Sequence, residues 1–394
     1  MMNCDNLVSL DKKKYHQGRR FARKLNRKFY EYVNVSDIWD AVKDSCTSVR
    51  NVFKYRTPKF GADSYPIAYT VTFDRTAEQS LRMLSSIYDH ENVYCIHPNA
   101  RFGMLFVNVF KRISECIPNI ILPDKIYEIR VKTFHHLKAE LGCFGKLLNS
   151  TVPWKYGINL PSSAFPLRNN SYIVDYLRNK PYESVISWSF PHARFIRRIK
   201  YVHVVRESEG ETLLMRTSTV KKPPPDNIVI FRKGNFIIST RDFYRFLTES
   251  DIAKRLLSWA ADTKTPEDFY YSTLYRHPHA PGGFPYHPEA ENSLSEKMVQ
   301  TADTENVIDT PLNDLLVTLW KSDTAHRCHG QYRGHVCIFS AADLRWLIEQ
   351  DNLFALSFDF RVDRVAIDCL SKNLKDAILP ETRSDVNGLP AFVL

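Results

Sequence analysis

At 394 residues the chain has room for one large domain or two ordinary ones, with a sizeable core. Hydrophobic residues at 44% and charged residues at 25% are ordinary globular values and exclude wholesale disorder. The 54 Lys and Arg exceed the 44 Asp and Glu to leave a net charge of +10, which admits an anionic partner such as nucleic acid, a membrane surface or a phosphate-bearing substrate.

Residues 1–60 read as a polar, basic, mostly helical preface carrying Lys12–Lys13–Lys14, Arg19–Arg20, Arg23–Lys24 and Arg27–Lys28. A solvated basic helix accounts for that cluster better than a nucleic-acid arm, because no Arg/Gly–aromatic repeat or binding-fold signature accompanies it. No run of about 18 apolar residues occurs, so nothing in the sequence reads as a membrane-spanning helix. Met1–Met2–Asn3–Cys4 leads straight into charge and opens no signal peptide. A targeting segment, if the protein works in the secretory pathway, is expected outside this sequence.

"YPIAYTVTF" (65–73) is a short apolar, β-branched and aromatic run and predicts a buried strand. Asp74–Arg75–Thr76 turns it into "AEQSLRMLSSIY" (77–88), whose apolar residues fall at helical spacing, and "NVYCIH" (92–97) predicts a second strand. Strand, helix and strand in so short a span form a βαβ unit, which implies a parallel sheet with a right-handed crossover. "NIILP" (119–123) is another short strand, 133–149 an amphipathic helix, 155–161 a strand and 171–179 a helix. "NIVIFRKGNFIIST" (227–240) reads as a hairpin and 241–263 as a helix pair. Pro223–Pro225 punctuate a basic stretch, and residues 277–310, rich in His, Pro, Gly and acids, read as a long loop. The sum is an α/β protein with a mixed sheet flanked by helices.

Ligands of such sheets sit beyond the carboxyl ends of the strands, which makes Asp74 and His97–Pro98–Asn99 candidates. His97 equally fits a core histidine bonded to backbone. His277, His279, His287 and Glu289 superficially resemble a metal site, but the prolines among them argue for an extended loop. No D-x-D motif for a divalent ion occurs, so a diphosphate here falls to Arg and Lys. The eight cysteines, Cys4, Cys46, Cys95, Cys116, Cys143, Cys328, Cys337 and Cys369, form no C-x-x-C pair and suggest disulfides in an oxidising compartment. Sequons at Asn34, Asn149 and Asn169 fit glycosylation of a lumenal protein. Finally, "TKTPEDFYYSTL" sets Glu267 and Asp268 after Pro266. The pair reads as a favourable first helical turn with Thr265 as N-cap, or as the home of a general base.

Seven collinear stretches carry a resemblance: "YPIAYTVTF", "NVYCIHPN", "WKYGINLPSSAFPLRNN", "VKKPPP", "SWAADTKTPEDFYYSTL", "CHGQYRGHVCIFSAADLRWL" and "LFALSFD". Together they resemble the core 2 / I-branching β-1,6-N-acetylglucosaminyltransferases, whose relatives include the peptide O-xylosyltransferases, over nearly the whole chain from about Cys4 to Cys369. The resemblance implies an A-type, Rossmann-like glycosyltransferase fold, with 61–394 as a single catalytic domain behind a stem-proximal preface. It implies metal-independent, inverting transfer of GlcNAc from UDP-GlcNAc to the 6-hydroxyl of an O-glycan sugar on a glycoprotein. No metal or other cofactor and no nucleic acid is involved. The implied setting is the Golgi lumen, held by a type II membrane anchor lying before residue 1.

The same resemblance pairs Cys4–Cys369, Cys46–Cys116, Cys95–Cys143 and Cys328–Cys337, using every cysteine. It casts Asp268 as the general base, one methylene shorter than the family's glutamate, with Glu267 as the alternative; a displacement of about 1 Å is worth on the order of 100-fold in rate. On the donor side it points to Asp74, His97, Asn99 (where the family has aspartate), Arg333 (one position before the family's arginine, whose slot holds Gly334) and Arg361. Ser357 stands where the family has a diphosphate lysine. Glu183 and Arg194 match the acceptor-side acid and arginine, and Pro191 replaces a lysine. An active transferase is the leading expectation. The alternative is a catalytically weak or inactive member that binds glycan or a protein partner.

Overall fold

The computed structural model describes residues 4–9, 11–28, 33–130, 133–179, 183–208, 211–233, 235–288 and 315–376. Glu289, the rest of the loop to residue 310, and residues 377–394 lie outside the described residues. The preface forms helices α1 (Asp5–Val8), α2 (Lys12–Lys28), α3 (Val35–Val42) and α4 (Cys46–Val52).

The main sheet begins with β1 (Ile67–Phe73), every residue of which is buried. Its alternation assigns two faces. Phe73 meets Phe110 at 4.5 Å between ring centroids on one face. On the other face, Cys95 of β2 (Val93–Pro98) is bonded to Cys143. Helix α5 (Ala77–Ile87) starts at Thr76, whose hydroxyl caps Gln79 N at 3.3 Å. The chain then runs through α6 (Met104–Cys116), β3 (Ile120–Ile121), α7 (Phe134–Leu148), β4 (Tyr156–Pro161), β5 (Ala164–Pro166), α8 (Asn170–Arg178), β6 (Val185–Ile186) and α9 (Ala193–Ile199). Strands β7 (Tyr201–Ser208) and β8 (Glu211–Val220) form a separate antiparallel ribbon. After β9 (Ile237–Thr240) come α10 (Arg241–Glu249), α11 (Asp251–Ala260) and α12 (Glu267–Tyr275). The last elements are β10 (Leu316–Thr318), β11 (Gln331–Arg333), β12 (Val336–Ile338), α13 (Leu344–Ile348), β13 (Phe354–Leu356) and α14 (Arg364–Asp376).

Six strands make the main sheet in the order β3-β2-β1-β4-β9-β6. The first four are mutually parallel, while β9 runs antiparallel to both β4 and β6. The order reverses between β1 and β4, the kind of switch point where a crevice opens at the strand ends. Beyond that edge β5 pairs with β13, and β13 with β10, in a small second sheet. This is a mixed α/β fold with helices flanking the sheet.

Two expectations are corrected here. The stretch 227–240 is not a hairpin: Ile237–Thr240 enter the main sheet, while Phe231 packs with Trp188 and Phe190 in a separate aromatic cluster. The residue capping α12 is Pro266 and supplies no side-chain bond, whereas Thr265 adopts φ 50°. Several elements are absent from the sequence reading, among them α6, α9, the β7–β8 ribbon, α13 and α14.

The four disulfides Cys4–Cys369, Cys46–Cys116, Cys95–Cys143 and Cys328–Cys337 leave no described cysteine free. Cys4 and Cys46 tie the preface to α14 and to the end of α6. Asn34 and Asn169 cap α3 and α8, and Asn149 ends α7.

Candidate active site

The carboxyl ends of β1 and β4 meet at Asp74 and Ser162. The Ser162 hydroxyl donates to Asp74 Oδ1 at 2.9 Å and accepts from Asp74 N at 3.1 Å. Arg75 donates to Asp74 Oδ2 at 3.0 Å, and the carboxylate stays partly exposed. Gln79, fully buried on α5, fastens a second segment to this edge. Its amide donates to Ser162 O at 3.1 Å and to Phe358 O at 3.0 Å, and its oxygen accepts from Phe360 N at 3.0 Å.

That segment carries Asp359, which is buried, and Arg361. Arg361 donates to both Asp359 oxygens at 3.1 and 3.0 Å, and Arg333, from the β11–β12 hairpin, donates to Oδ2 at 2.7 Å. Burial alone would push the Asp359 carboxyl up, but the two guanidinium groups outweigh it and hold the carboxyl down at about 2. One buried charge thus anchors two arginines whose side chains remain at least half exposed at 50% and 57%. Ser357, in the lysine's place, is buried and contributes no charge.

His97 and Asn99 lie under the same edge but turn inward. His97 Nε2 accepts from Tyr127 N at 2.8 Å, and burial pushes the imidazole down to about 4. Asn99 accepts from Ile129 N and Arg101 N at 2.8 and 3.0 Å and donates to Ile129 O at 2.8 Å. Both side chains hold the 127–130 segment over the strand ends.

Adjacent acids at the start of α12 diverge, as a helix's 100° step requires. Glu267 is buried, with Oε1 standing 3.4 Å from His136 Nδ1 of α7. Asp268 faces the other way and accepts from Arg198 of α9 at 2.8 Å. Burial raises the Asp268 carboxyl, the guanidinium of Arg198 opposes that, and the charge of Glu267 adds to it; the net shift is upward. A carboxylate more basic than an ordinary aspartate, yet a third exposed at 34%, suits proton abstraction.

Behind Glu267 lies a buried polar network. Glu140 Oε2 accepts from the Tyr271 hydroxyl at 2.7 Å and Oε1 from Asn159 Nδ2 at 2.9 Å. Burial raises the Glu140 carboxyl despite the nearby His136. For His136, burial acts downward, but Glu140, Glu267 and Asp74 outweigh it and raise the imidazole to about 9. His136 therefore feels the charges of Asp74, Glu140 and Glu267 at once.

A stability signature follows. The folded pKa of His136 stands above its usual 6.5, so its contribution is fully present below that pH and is lost as pH rises through about 9. Denaturant melts of wild type and His136→Gln should differ most near pH 6 and converge by pH 9.5. A gap independent of pH would mean that His136 is not held charged.

Of the two residues expected to meet the acceptor, Glu183 is exposed just ahead of β6 and Arg194 is exposed in the first turn of α9. Burial, with the charge of Glu183 added, pushes the Tyr275 phenol up to about 12, which sets Glu183 near the far end of α12. Arg194 and Arg198 are four apart on one helix and share a face. Gln79 thus fastens the segment bearing Asp359 and its arginines to the edge that carries Asp74, while Asp268 pairs with Arg198 of α9. Arg198, His136, Glu140, Gln79 and Asp359 were not named from sequence. Arg198 lies 70 residues from its partner, and the spacing from Arg194 was its one available signal.

The pattern describing Core-2/I-Branching enzymes matches residues 67–348. A Danio rerio β-1,3-galactosyl-O-glycosyl-glycoprotein β-1,6-N-acetylglucosaminyltransferase 4 is 32% identical over 81% of this chain and 72% of its own length. A Homo sapiens N-acetyllactosaminide β-1,6-N-acetylglucosaminyl-transferase is 30% identical over 82% of this chain and 75% of its own. A Bos taurus β-1,3-galactosyl-O-glycosyl-glycoprotein β-1,6-N-acetylglucosaminyltransferase 3 is 29% identical over 79% and 68%. The apo structure of the WbbM bifunctional glycosyltransferase aligns with 81% of this chain and 51% of that one at TM-score 0.33 and 11% identity, too distant to bear on chemistry.

These relatives make the protein a glycosyltransferase, and its partners, in general terms, a nucleotide sugar and a glycan. The chain belongs to the core-2/I-branching enzyme family, and its activity is of the β-1,6-N-acetylglucosaminyltransferase type.

Proposed function

We propose that the enzyme transfers GlcNAc from UDP-GlcNAc to the 6-hydroxyl of an O-glycan sugar on a glycoprotein, by single displacement with inversion and without metal. Asp268 takes the hydroxyl proton while the oxygen attacks the anomeric carbon. The bond from that carbon to the diphosphate breaks, and the charge left on UDP is met by Arg333 and Arg361. Arg198 orients Asp268, and Glu183 and Arg194 flank the acceptor. Glu267, turned toward His136, is the alternative base. Asp74 lies at the donor edge, with His97 and Asn99 shaping its floor. The observation that carries this reading is the exposed arginine pair held on one buried aspartate beside the β1/β4 switch point, because it supplies two guanidinium groups, with a net positive charge after Asp359, where a D-x-D enzyme would place an ion.

A second reading, a weak or inactive member that binds glycan or a partner protein, is favoured by one feature: the Asn99 side chain is taken up by backbone. We place the protein in the Golgi lumen as a type II membrane protein, glycosylated at Asn34, Asn149 and Asn169. The four disulfides support an oxidising compartment. No helix among the described residues is long and apolar enough to cross a membrane. The test is transfer from UDP-GlcNAc to a β-1,3-galactosyl-O-glycosyl acceptor with and without EDTA. Equal rates are expected, and strong inhibition by EDTA would contradict neutralisation by arginine.

A further inference from the structure

Away from the donor edge, His326, His329 and Asp343 converge at the base of the disulfide-closed hairpin that carries Arg333. His326 Nε2 stands 3.0 Å and His329 Nδ1 2.9 Å from the same oxygen, Asp343 Oδ1. The backbone N of His329 reaches that oxygen too, at 3.0 Å. Three nitrogens crowd one carboxylate oxygen that has two lone pairs, and the two ring nitrogens donate there only in the tautomers that put their protons on those atoms. Replacing the two imidazole protons by one cation removes the excess, because both imidazoles then offer lone pairs and Oδ1 keeps a single hydrogen bond.

The surroundings are those of a prepared ligand set. Asp343 is fully buried, and its other oxygen accepts from Ser340 N and from the Ser340 hydroxyl at 2.9 Å each, which fixes the direction of Oδ1. The His326 ring lies flat on Trp346 at 4.4 Å with planes 1° apart. His329 is fixed in sequence by its neighbour Cys328, bonded to Cys337, and by Gly330, which passes too close to Ile338 to leave room for a Cβ. All three ligand atoms lie within 4.8 Å of one another. Bonds of about 2.0–2.1 Å to a tetrahedral ion require ligand atoms roughly 3.3 Å apart, so the 3.0 and 2.9 Å N···O separations open by a few tenths of an ångström when the ion enters. Two imidazoles and one carboxylate select a borderline ion over Mg²⁺ or Ca²⁺.

We propose that His326, His329 and Asp343 bind one Zn²⁺, with water completing the shell, and that the ion braces the hairpin bearing Arg333 against the start of α13. The ion takes no part in the transfer chemistry, and its binding is read by stoichiometry and Tm whatever the donor. Zinc stabilises the fold, while EDTA leaves turnover unchanged.

The experiment uses the full chain, disulfides intact and without a polyhistidine tag, dialysed against chelator and titrated with ZnCl₂. One equivalent of zinc is expected to bind, raising Tm by about 5 °C at 100 times Kd, while MgCl₂ and CaCl₂ give no rise. His326→Asn with His329→Asn, which keeps donors facing Asp343 and so preserves the metal-free fold, should abolish the rise. His277→Ala with His279→Ala, the other histidine pair, should retain it. Should the Asn pair fold poorly, Co²⁺ titration of the unaltered chain supplies a second readout, with visible bands that one equivalent of Zn²⁺ removes. No zinc-dependent rise in wild type, a rise that survives the Asn pair, or a rise lost with His277 and His279 would overturn the proposal.

Discussion

Asp268→Asn is expected to lower kcat roughly a thousandfold while leaving the affinity for UDP-GlcNAc unchanged, because a general base contributes about 10²–10⁴ in rate and makes no donor contact. The amide preserves size and still accepts from Arg198, so folding is not at issue; the lost element is basicity. Divergence of the two acids gives the control. Glu267 is buried against His136 rather than toward α9, so Glu267→Gln should cost far less turnover. Asp268→Glu keeps a carboxylate in place and should retain activity. Single-turnover kinetics and donor titration separate the two effects. Turnover within tenfold of wild type in Asp268→Asn would remove Asp268 from the role and hand it to Glu267.

The second large effect concerns the arginine pair. A hydrogen bond to a charged group is worth about 1.5–3 kcal/mol, so each guanidinium supplies roughly 10- to 100-fold in diphosphate affinity. Removing both has a complication: Asp359 becomes a buried, unpaired carboxylate, which costs about 3–5 kcal/mol of stability. The useful variant is therefore Arg333→Ala, Arg361→Ala and Asp359→Asn together, in which the buried charge is removed with its partners. Calorimetric titration with UDP is expected to show affinity reduced by about two orders of magnitude or more, with the fold intact by its melting curve. Unchanged UDP affinity would show that the pair faces no phosphate.

Much of this architecture is legible in the residues. The fully buried run 67–73, its Thr-capped helix and the strand at 93–98 declare a parallel βαβ unit, because a strand covered on both faces has no polar alternation to obscure it. The reading fails where local pattern and tertiary pairing disagree. Lys233 beside glycine makes 227–240 look like a turn between strands, yet Ile237 and Ile238 find their partners across the sheet edge in β4 and β6. The β7–β8 ribbon escapes notice because its strands mix charge with exposed apolar residues such as Val205 and Leu213, and so lack a clean period of two.

Site chemistry divides in the same way. Asp74 follows from its place after a strand, and Asp268 from the resemblance of its stretch. The partners that set their electrostatics do not. His136 and Glu140 sit on a helix that reads as merely amphipathic, Arg198 sits on one that the sequence reading passed over, and Asp359 is the last residue of a quoted stretch with nothing local to mark it as the anchor of two arginines. Long-range pairing decides these roles, and one sequence carries no record of it.

The most direct test of the central claim is the structure of the reaction product. The chain, disulfides intact, is incubated with UDP-GlcNAc and a β-1,3-galactosyl-O-glycosyl acceptor in EDTA, and the product linkage is determined by NMR. A single new β-1,6-linked GlcNAc is predicted, formed at the rate seen without EDTA. Absence of any product, or a linkage to another hydroxyl or of the opposite anomeric configuration, would contradict the account.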